Sequence, residues 1–254
     1  MMSRKSISIS ILRSIACSLL LLCALTVNAQ RPQGSSQRQA QAKGQPQHLS
    51  KEEQLRLRQK EIDDSIPWWR GFEIKADLVG VIQRAVSSYG QYEAGVRFNL
   101  KDKYFPVIEL GYGTADEDNI TTRTHYKTSA PYGKIGIDFN MMKNKHDIYR
   151  LYGGVRYAYT SFKFDIDHPD VTDPVWGDKG AFTLHDVKAN YHWMEAVFGI
   201  DAKISGPFRL GWTLRYMRRL FHNDGDYGNT WYVPGYGKQG GSDIWGTFEV
   251  LFAF

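Results

Sequence analysis

The stretch Ile244-Trp-Gly-Thr-Phe-Glu-Val-Leu-Phe-Ala-Phe254 places Ile244, Gly246, Phe248, Val250, Phe252 and Phe254 on one parity and Thr247, Glu249 and Ala253 on the other. Successive side chains of a strand point to opposite faces, so the pattern predicts a strand with one apolar and one polar face. Seven earlier runs repeat it. Phe72, Ile74, Ala76 and Leu78 alternate with Glu73, Lys75 and Asp77. Tyr92, Ala94, Val96, Phe98 and Leu100 alternate with Glu93 and Arg97, and Pro106, Ile108, Leu110 and Tyr112 flank Glu109. Further runs fall at 134–139, 150–160, 194–203 and 208–219, which makes eight strands in all.

Alternation alone does not say which face is inside. A lipocalin-like barrel puts the apolar face in, whereas an outer-membrane barrel turns it to lipid. Four features favour the membrane. Glycine recurs on the polar parity (Gly95, Gly111, Gly113, Gly136, Gly154, Gly199, Gly211), where a narrow lumen would need room for long charged side chains. The same parity carries eight acids (Glu73, Asp77, Glu93, Glu109, Asp138, Glu195, Asp201, Glu249). Nine bases accompany them (Lys75, Arg97, Lys134, Arg150, Arg156, Lys203, Arg209, Arg215, Arg219), a balance suited to a water-poor interior. Connections alternate in length: those at 101–103, 141–147 and 204–207 are short, while Ala115 to Ser129, Asp165 to Ala189 and Phe221 to Ser242 are long. Last, Phe254 resembles the terminal aromatic read by the barrel-assembly machinery. Trp68, Trp69, Tyr104, Tyr149 and Trp193 fall near strand ends, where an interfacial girdle belongs. These features predict an all-β, eight-stranded antiparallel transmembrane barrel over 68–254.

The 254 residues have a mean hydropathy of −0.44, which excludes a bundle of membrane helices. Residues 1–29 read as a signal peptide: Arg4, Lys5 and Arg13 precede an apolar run, and Val27-Asn28-Ala29 is acceptable to signal peptidase. Cys17 and Cys23 both lie within it, and Leu22 before Cys23 does not fit a lipoprotein acylation site, so the mature chain is expected to lack thiols. Cleavage leaves 29 Lys and Arg against 27 Asp and Glu, a balance that gives no case for nucleic acid. Residues 30–49 are a Gln-rich linker. Over 50–67, Ser50 and Glu53 form a capping-box pattern ahead of a short helix with a thin apolar stripe (Leu55, Leu57, Ile62, Ile66), and a solvated periplasmic helix is expected.

The stretch Lys134-Ile-Gly-Ile-Asp-Phe-Asn-Met-Met-Lys-Asn144, with Leu151–Tyr157, His192–Glu195 and Tyr232-Val-Pro-Gly-Tyr236, resembles a domain-of-unknown-function family of small outer-membrane β-barrels from Bacteroidota. The resemblance covers roughly residues 70 to 254. It implies a fold and a compartment, with no activity and no catalytic residues.

Lipid-modifying enzymes exist among eight-stranded barrels, and Ser161, His192 and Glu195 could make a nucleophile, base and acid if neighbouring strands bring them together. Asp165, Asp167, Asp170 and Asp173 form an acidic run without the glycine and terminal Glu of a calcium loop, and His168 and His185 match no standard metal spacing. No metal, cofactor or catalytic site is expected. A lumen holding Glu73, Lys75, Asp77, Glu93, Arg97, Glu109, Arg156, Glu195, Arg215 and Glu249 reads as a salt-bridged plug in preference to a pore. The segment 222–241, with Tyr227, Trp231, Tyr232 and Tyr236, is either a recognition loop or a cap over the barrel mouth. The expected role is a non-enzymatic structural or interaction barrel, or a membrane subunit of an envelope or secretion assembly. A lipid-modifying enzyme and a narrow pore are the alternatives. Expected partners are outer-membrane lipid, the barrel-assembly machinery at Phe254, and a periplasmic or lipoprotein partner.

Overall fold

The computed structural model describes residues 50–172, 179–228 and 230–254, so the expected signal peptide and Gln-rich linker lie outside the described residues. Helix α1 (Lys51–Ser65) is followed by β1 (Trp69–Asp77), helix α2 (Leu78–Val86), β2 (Tyr89–Leu100), β3 (Tyr104–Asn119) and β4 (Thr124–Asn140). Then come β5 (Tyr149–Thr172), β6 (Lys179–Ser205) and β7 (Phe208–Asn223). A 3-10 turn at Gly225–Tyr227 and two short strands, β8 (Tyr232–Val233) and β9 (Gly237–Lys238), precede β10 (Ser242–Ala253). The barrel closes in the ring order β1-β10-β7-β6-β5-β4-β3-β2, and every adjacent pair is antiparallel.

Closure depends on the two ends of the barrel sequence. Phe254 N donates to the Phe72 carbonyl at 2.8 Å, and the two rings stack at 5.2 Å. Gly71, at φ +99°, makes the bend beside them, and a Cβ there would collide with the Phe254 carbonyl.

The two parities separate as the alternation requires, with the chemistry of a soluble protein reversed. Ile108, Leu110, Ile135, Val155, Phe198, Ile200, Trp212 and Leu214 are exposed. Between them in sequence, Glu109, Lys134, Asp138, Arg156, Glu195, Asp201 and Arg215 are buried in the lumen. An apolar belt around a charged interior is unfavourable in water and is the stable arrangement in hydrocarbon.

Toward the far ends of β4, β5 and β6 the parity continues but its chemistry inverts. On β5 the inward residues become Phe162, Phe164 and Ile166, while Ser161, Lys163 and Asp165 face out. Two of the three connections expected as long loops are largely strand, and the third, Phe221 to Ser242, is strand only at its start, at its end and in two short pieces. β3 and β4 pair as far as Asn119↔Thr124, β5 and β6 as far as Thr172↔Lys179, and β7 continues to Asn223. The barrel therefore has a turn end, with short connections, and a loop end where a tower of paired strands stands above the belt.

Both helices flank β1. The expected capping box starts α1: Ser50 Oγ accepts from Glu53 N, and Glu53 Oε2 accepts from Ser50 N at 2.9 Å. The helix ends at Ser65, two residues short of the expected boundary. α2 replaces what the alternation suggested would be more strand, since Leu78 is its first residue. The cause is Asp77, whose carboxylate accepts from Val79 N and Gly80 N at 3.0 Å and so caps the helix.

Candidate functional site

All ten residues expected in the lumenal charge network lie in the interior. Arg215 is its hub. It donates from Nη1 to Glu93 Oε1 at 2.6 Å and from Nη2 to Glu249 Oε1 at 2.9 Å, with Glu109 at 3.6 Å and Glu195 at 3.8 Å. Lys134 Nζ lies 2.9 Å from Glu93 and 2.8 Å from Glu195. Lys75 bridges Glu109 and Glu249, and Arg156 joins Glu109 to Asp138. Toward the turn end, Arg97 binds Glu73 and Asp201, Arg150 binds Glu73, and Arg209 binds Asp201. Charges taken out of water cost several kcal/mol each, and here each faces an opposite charge in return. Asp77 departs from expectation: it is buried with the others but serves as the cap of α2. Lys203, expected in the lumen, is exposed at the strand end.

The polar-parity glycines make room as anticipated, though for more than charge. A Cβ at Gly136 would strike Arg156 and one at Gly154 would strike Asp138. Gly111 and Gly199, however, receive the rings of Tyr132 and Tyr152. Tyr132 hydroxyl donates to Glu93 Oε2 at 3.0 Å, and that of Tyr152 lies 2.9 Å from Thr213 Oγ1. These two tyrosines belong to the lumenal network, and the sequence reading missed them.

Above the charges, the segment carrying β8 and β9 folds down into the barrel. Tyr232, Val233 and Tyr236 are buried against Tyr126, Tyr132, Tyr191 and Trp193. Tyr126 hydroxyl donates to the Tyr232 carbonyl at 2.8 Å, and Tyr236 meets Trp193 edge-on at 5.8 Å. A Cβ at Gly113 would lie 2.7 Å from Pro234 Cα, so the tip of this plug rests on bare backbone. Of the four aromatics singled out in this loop, Tyr232 and Tyr236 are thus plug residues, whereas Tyr227 remains on the surface and Trp231 is part-buried.

At the turn end, His146 links α1 to the barrel. Its Nε2 lies 2.9 Å from Asp63 of α1, and its Nδ1 lies 2.9 Å from Asp102 in the β2–β3 turn. Lys103 Nζ donates to the same Asp63 at 2.5 Å. These hydrogen bonds, Lys103 first and then His146, hold the Asp63 carboxyl below the usual carboxylate range. Burial would raise Asp102, but hydrogen bonds from His146 and Asn99 and the nearby Arg150 and Arg70 carry it downward. No motif spacing signals this cluster, because its members come from α1 and two separate turns.

Trp68 and Trp69 are exposed at the turn end with Tyr104 and Tyr149. Trp193 is a correction: it is fully buried in the lumen and donates to Glu195 at 2.9 Å. The residues weighed as a hydrolytic trio do not meet. Glu195 faces the lumen, while His192 lies on the outer face, with Nδ1 2.6 Å from the Tyr157 hydroxyl. Ser161 is also outward, on the register pair Ser161↔Asn190. Asp173, in the acidic run, lies outside the described residues, and among those described no group of His, Cys, Asp and Glu could hold a metal ion.

A family model for a domain of unknown function (DUF6048) matches residues 10–251. No curated protein matches. Among solved structures, Neisserial surface protein A is similar at 11% identity over 73% of this chain and 99% of its own, with a TM-score of 0.40. A major outer membrane protein from Thermus thermophilus is similar at 12% identity over 72% and 99%, with a TM-score of 0.41. Ail, the attachment invasion locus protein of Yersinia pestis, is similar at 8% over 72% and 93%, with a TM-score of 0.33.

Proposed function

The chain belongs to the family described as a domain of unknown function (DUF6048), and we propose that it is an outer-membrane barrel that neither conducts nor catalyses and acts through its surfaces. The observation that carries this reading is the closed lumen. Paired charges fill its lower part and the Tyr232–Tyr236 plug occupies its upper part. The apolar belt supports placement in lipid, with the turn end toward the periplasm and the strand tower outside.

Interaction is the remaining role. α1 stands at the turn end with Leu55, Leu57 and Ile62 exposed, although these side chains gain nothing from water. A periplasmic or lipoprotein partner covering that stripe would make the barrel the membrane subunit of an envelope assembly. Two measurements test the proposal. In planar bilayers the purified protein stays silent, and steady single-channel conductance would sink the closed-lumen reading. A pull-down from native outer membrane returns a stoichiometric partner that is lost on Leu55→Ser/Ile62→Ser, whereas a solitary monomer sinks the subunit reading.

A further inference from the structure

The barrel wall is incomplete at one place. β1 leaves the sheet at Asp77, opposite Glu249, while β10 continues to Ser242. Along β10, Ala253 N donates to Pro207 on the β7 side, and Phe254 N donates to Phe72 on the β1 side. By alternation, the backbone groups of Ile244, Gly246 and Phe248 point to where β1 would run, and no strand pairs with them there.

α2 stands in this gap and lies alongside both banks, β2 and β10. A Cβ at Gly80 would lie 2.5 Å from the Gln91 carbonyl oxygen, and one at Gly90 would lie 2.6 Å from Arg84 Cα, so the helix is pressed against β2. Toward β10, no hydrogen bond among the described residues joins the two, and Gly246 faces outward there, where a Cβ would meet nothing within 4 Å. Val81 and Ile82 on one side and Ile244 on the other are exposed within the apolar belt. A seam of free backbone polar groups in hydrocarbon is unfavourable unless something that can hydrogen-bond lies along it. An alkyl chain alone cannot do this, whereas an amphiphile can.

Behind the seam lies a cavity of about 240 Å³, lined by Gln83 of α2, Tyr236 of the plug, Lys238, Asp243 and Trp245, and by Lys134 and Arg215 of the lumenal network. The indole Nε1 of Trp245 is buried with no partner. Lys238 sits over the rings of Tyr89 and Trp231, at 5.3 and 5.6 Å, with no carboxylate in ion-pair range among the described residues. Asp243 uses Oδ1 to accept from Ile244 N. A cation, an acid and an indole donor thus face a space of headgroup size.

We propose that seam and cavity form a lateral site for one phospholipid whose headgroup carries both a phosphate and an amine. The phosphate meets Lys238 and Trp245 Nε1, the amine meets Asp243, and the acyl chains leave between α2 and β10. This rests on the reading of the protein as a membrane barrel.

The test uses the full mature chain in nanodiscs of phosphatidylethanolamine and phosphatidylglycerol, released into native mass spectrometry. Wild type retains one phosphatidylethanolamine. Gly246→Trp, which sets an indole over the outer face of the seam, and Lys238→Glu lose it, while Val155→Trp, three strands away, keeps it. Asp243→Asn loses the preference for phosphatidylethanolamine. No retained lipid in wild type, equal retention of both lipids, or retention unchanged by Gly246→Trp and Lys238→Glu overturns the site. Quenching of Trp212 by bromine-labelled acyl chains reports insertion separately. If the Trp212→Phe difference spectrum shows none, the membrane reading itself is overturned.

Discussion

Arg215 Nη1 lies 2.6 Å from Glu93 Oε1, a contact between residues 122 positions apart in sequence and buried at the centre of the lumen. The two come from β7 and β2, which are not neighbours in the ring, so the contact ties strands across the barrel instead of along its wall.

Removing the hub charge leaves Glu93, Glu249, Glu109 and Glu195 buried together without it. Arg215→Met is therefore expected to destabilise the folded barrel by about 3–5 kcal/mol, the usual cost of stranding a buried charge. Urea unfolding of protein refolded into lipid, followed by tryptophan fluorescence, measures this. Glu93→Gln/Arg215→Met should cost less than the sum of the single variants, because they share one contact. Strict additivity would show that the two side chains do not interact.

The belt is legible in the sequence because each of its strands alternates with one chemistry on one parity. The run from Phe72 to Ala76 needs no tertiary information to be placed. Beyond Thr160 the parity persists but Phe162, Phe164 and Ile166 turn inward, so the same rule reads there as a break and suggests loops where the tower stands. α2 is hidden for a different reason. Leu78 and Val79 suit a strand as well as a helix, and the decision lies in the side chain of Asp77, which as a lumenal acid has another explanation. Composition identifies the aromatics of residues 227–236 but not their direction. Gly113 and Gly235, which let the loop approach Pro234 and Tyr132 in space, have no local signature.

Gly113 tests the plug. A side chain there meets Pro234 backbone at 2.7 Å, which cannot move without lifting the loop tip. Gly113→Val should leave the barrel folded while making residues 224–241 a new site of limited proteolysis. A cleavage pattern identical to wild type would mean that the loop does not rest in the lumen.

The link from α1 to the turn end has a defined pH window. Asp63 and Asp102 both have lowered carboxyl pKa values, so their contribution is complete above the ordinary carboxylate range. It fades as pH falls below that range and through their folded-state values. Hydrogen exchange of amides at 61–65 should therefore be slow at pH 5 and accelerate only in stronger acid. His146→Ala should accelerate it at every pH, since one side chain bridges both carboxylates. Exchange in this segment that is indifferent to both changes would leave α1 unattached.

The inversion on β5 gives the position of the lipid boundary. Val155 and Ser161 lie on the same outward parity of one strand, six residues apart, and only the first falls within the apolar belt. An arginine facing the middle of a bilayer costs about 2–4 kcal/mol, and near the interface or beyond it the cost falls toward zero. Val155→Arg should therefore lower unfolding stability in lipid vesicles by that amount, while Ser161→Arg leaves it nearly unchanged. In detergent micelles, which deform around a charge, the gap between the two variants should narrow. Equal costs in vesicles would place the boundary elsewhere on the strand, and a larger cost at Ser161 would reverse the assignment of belt and tower.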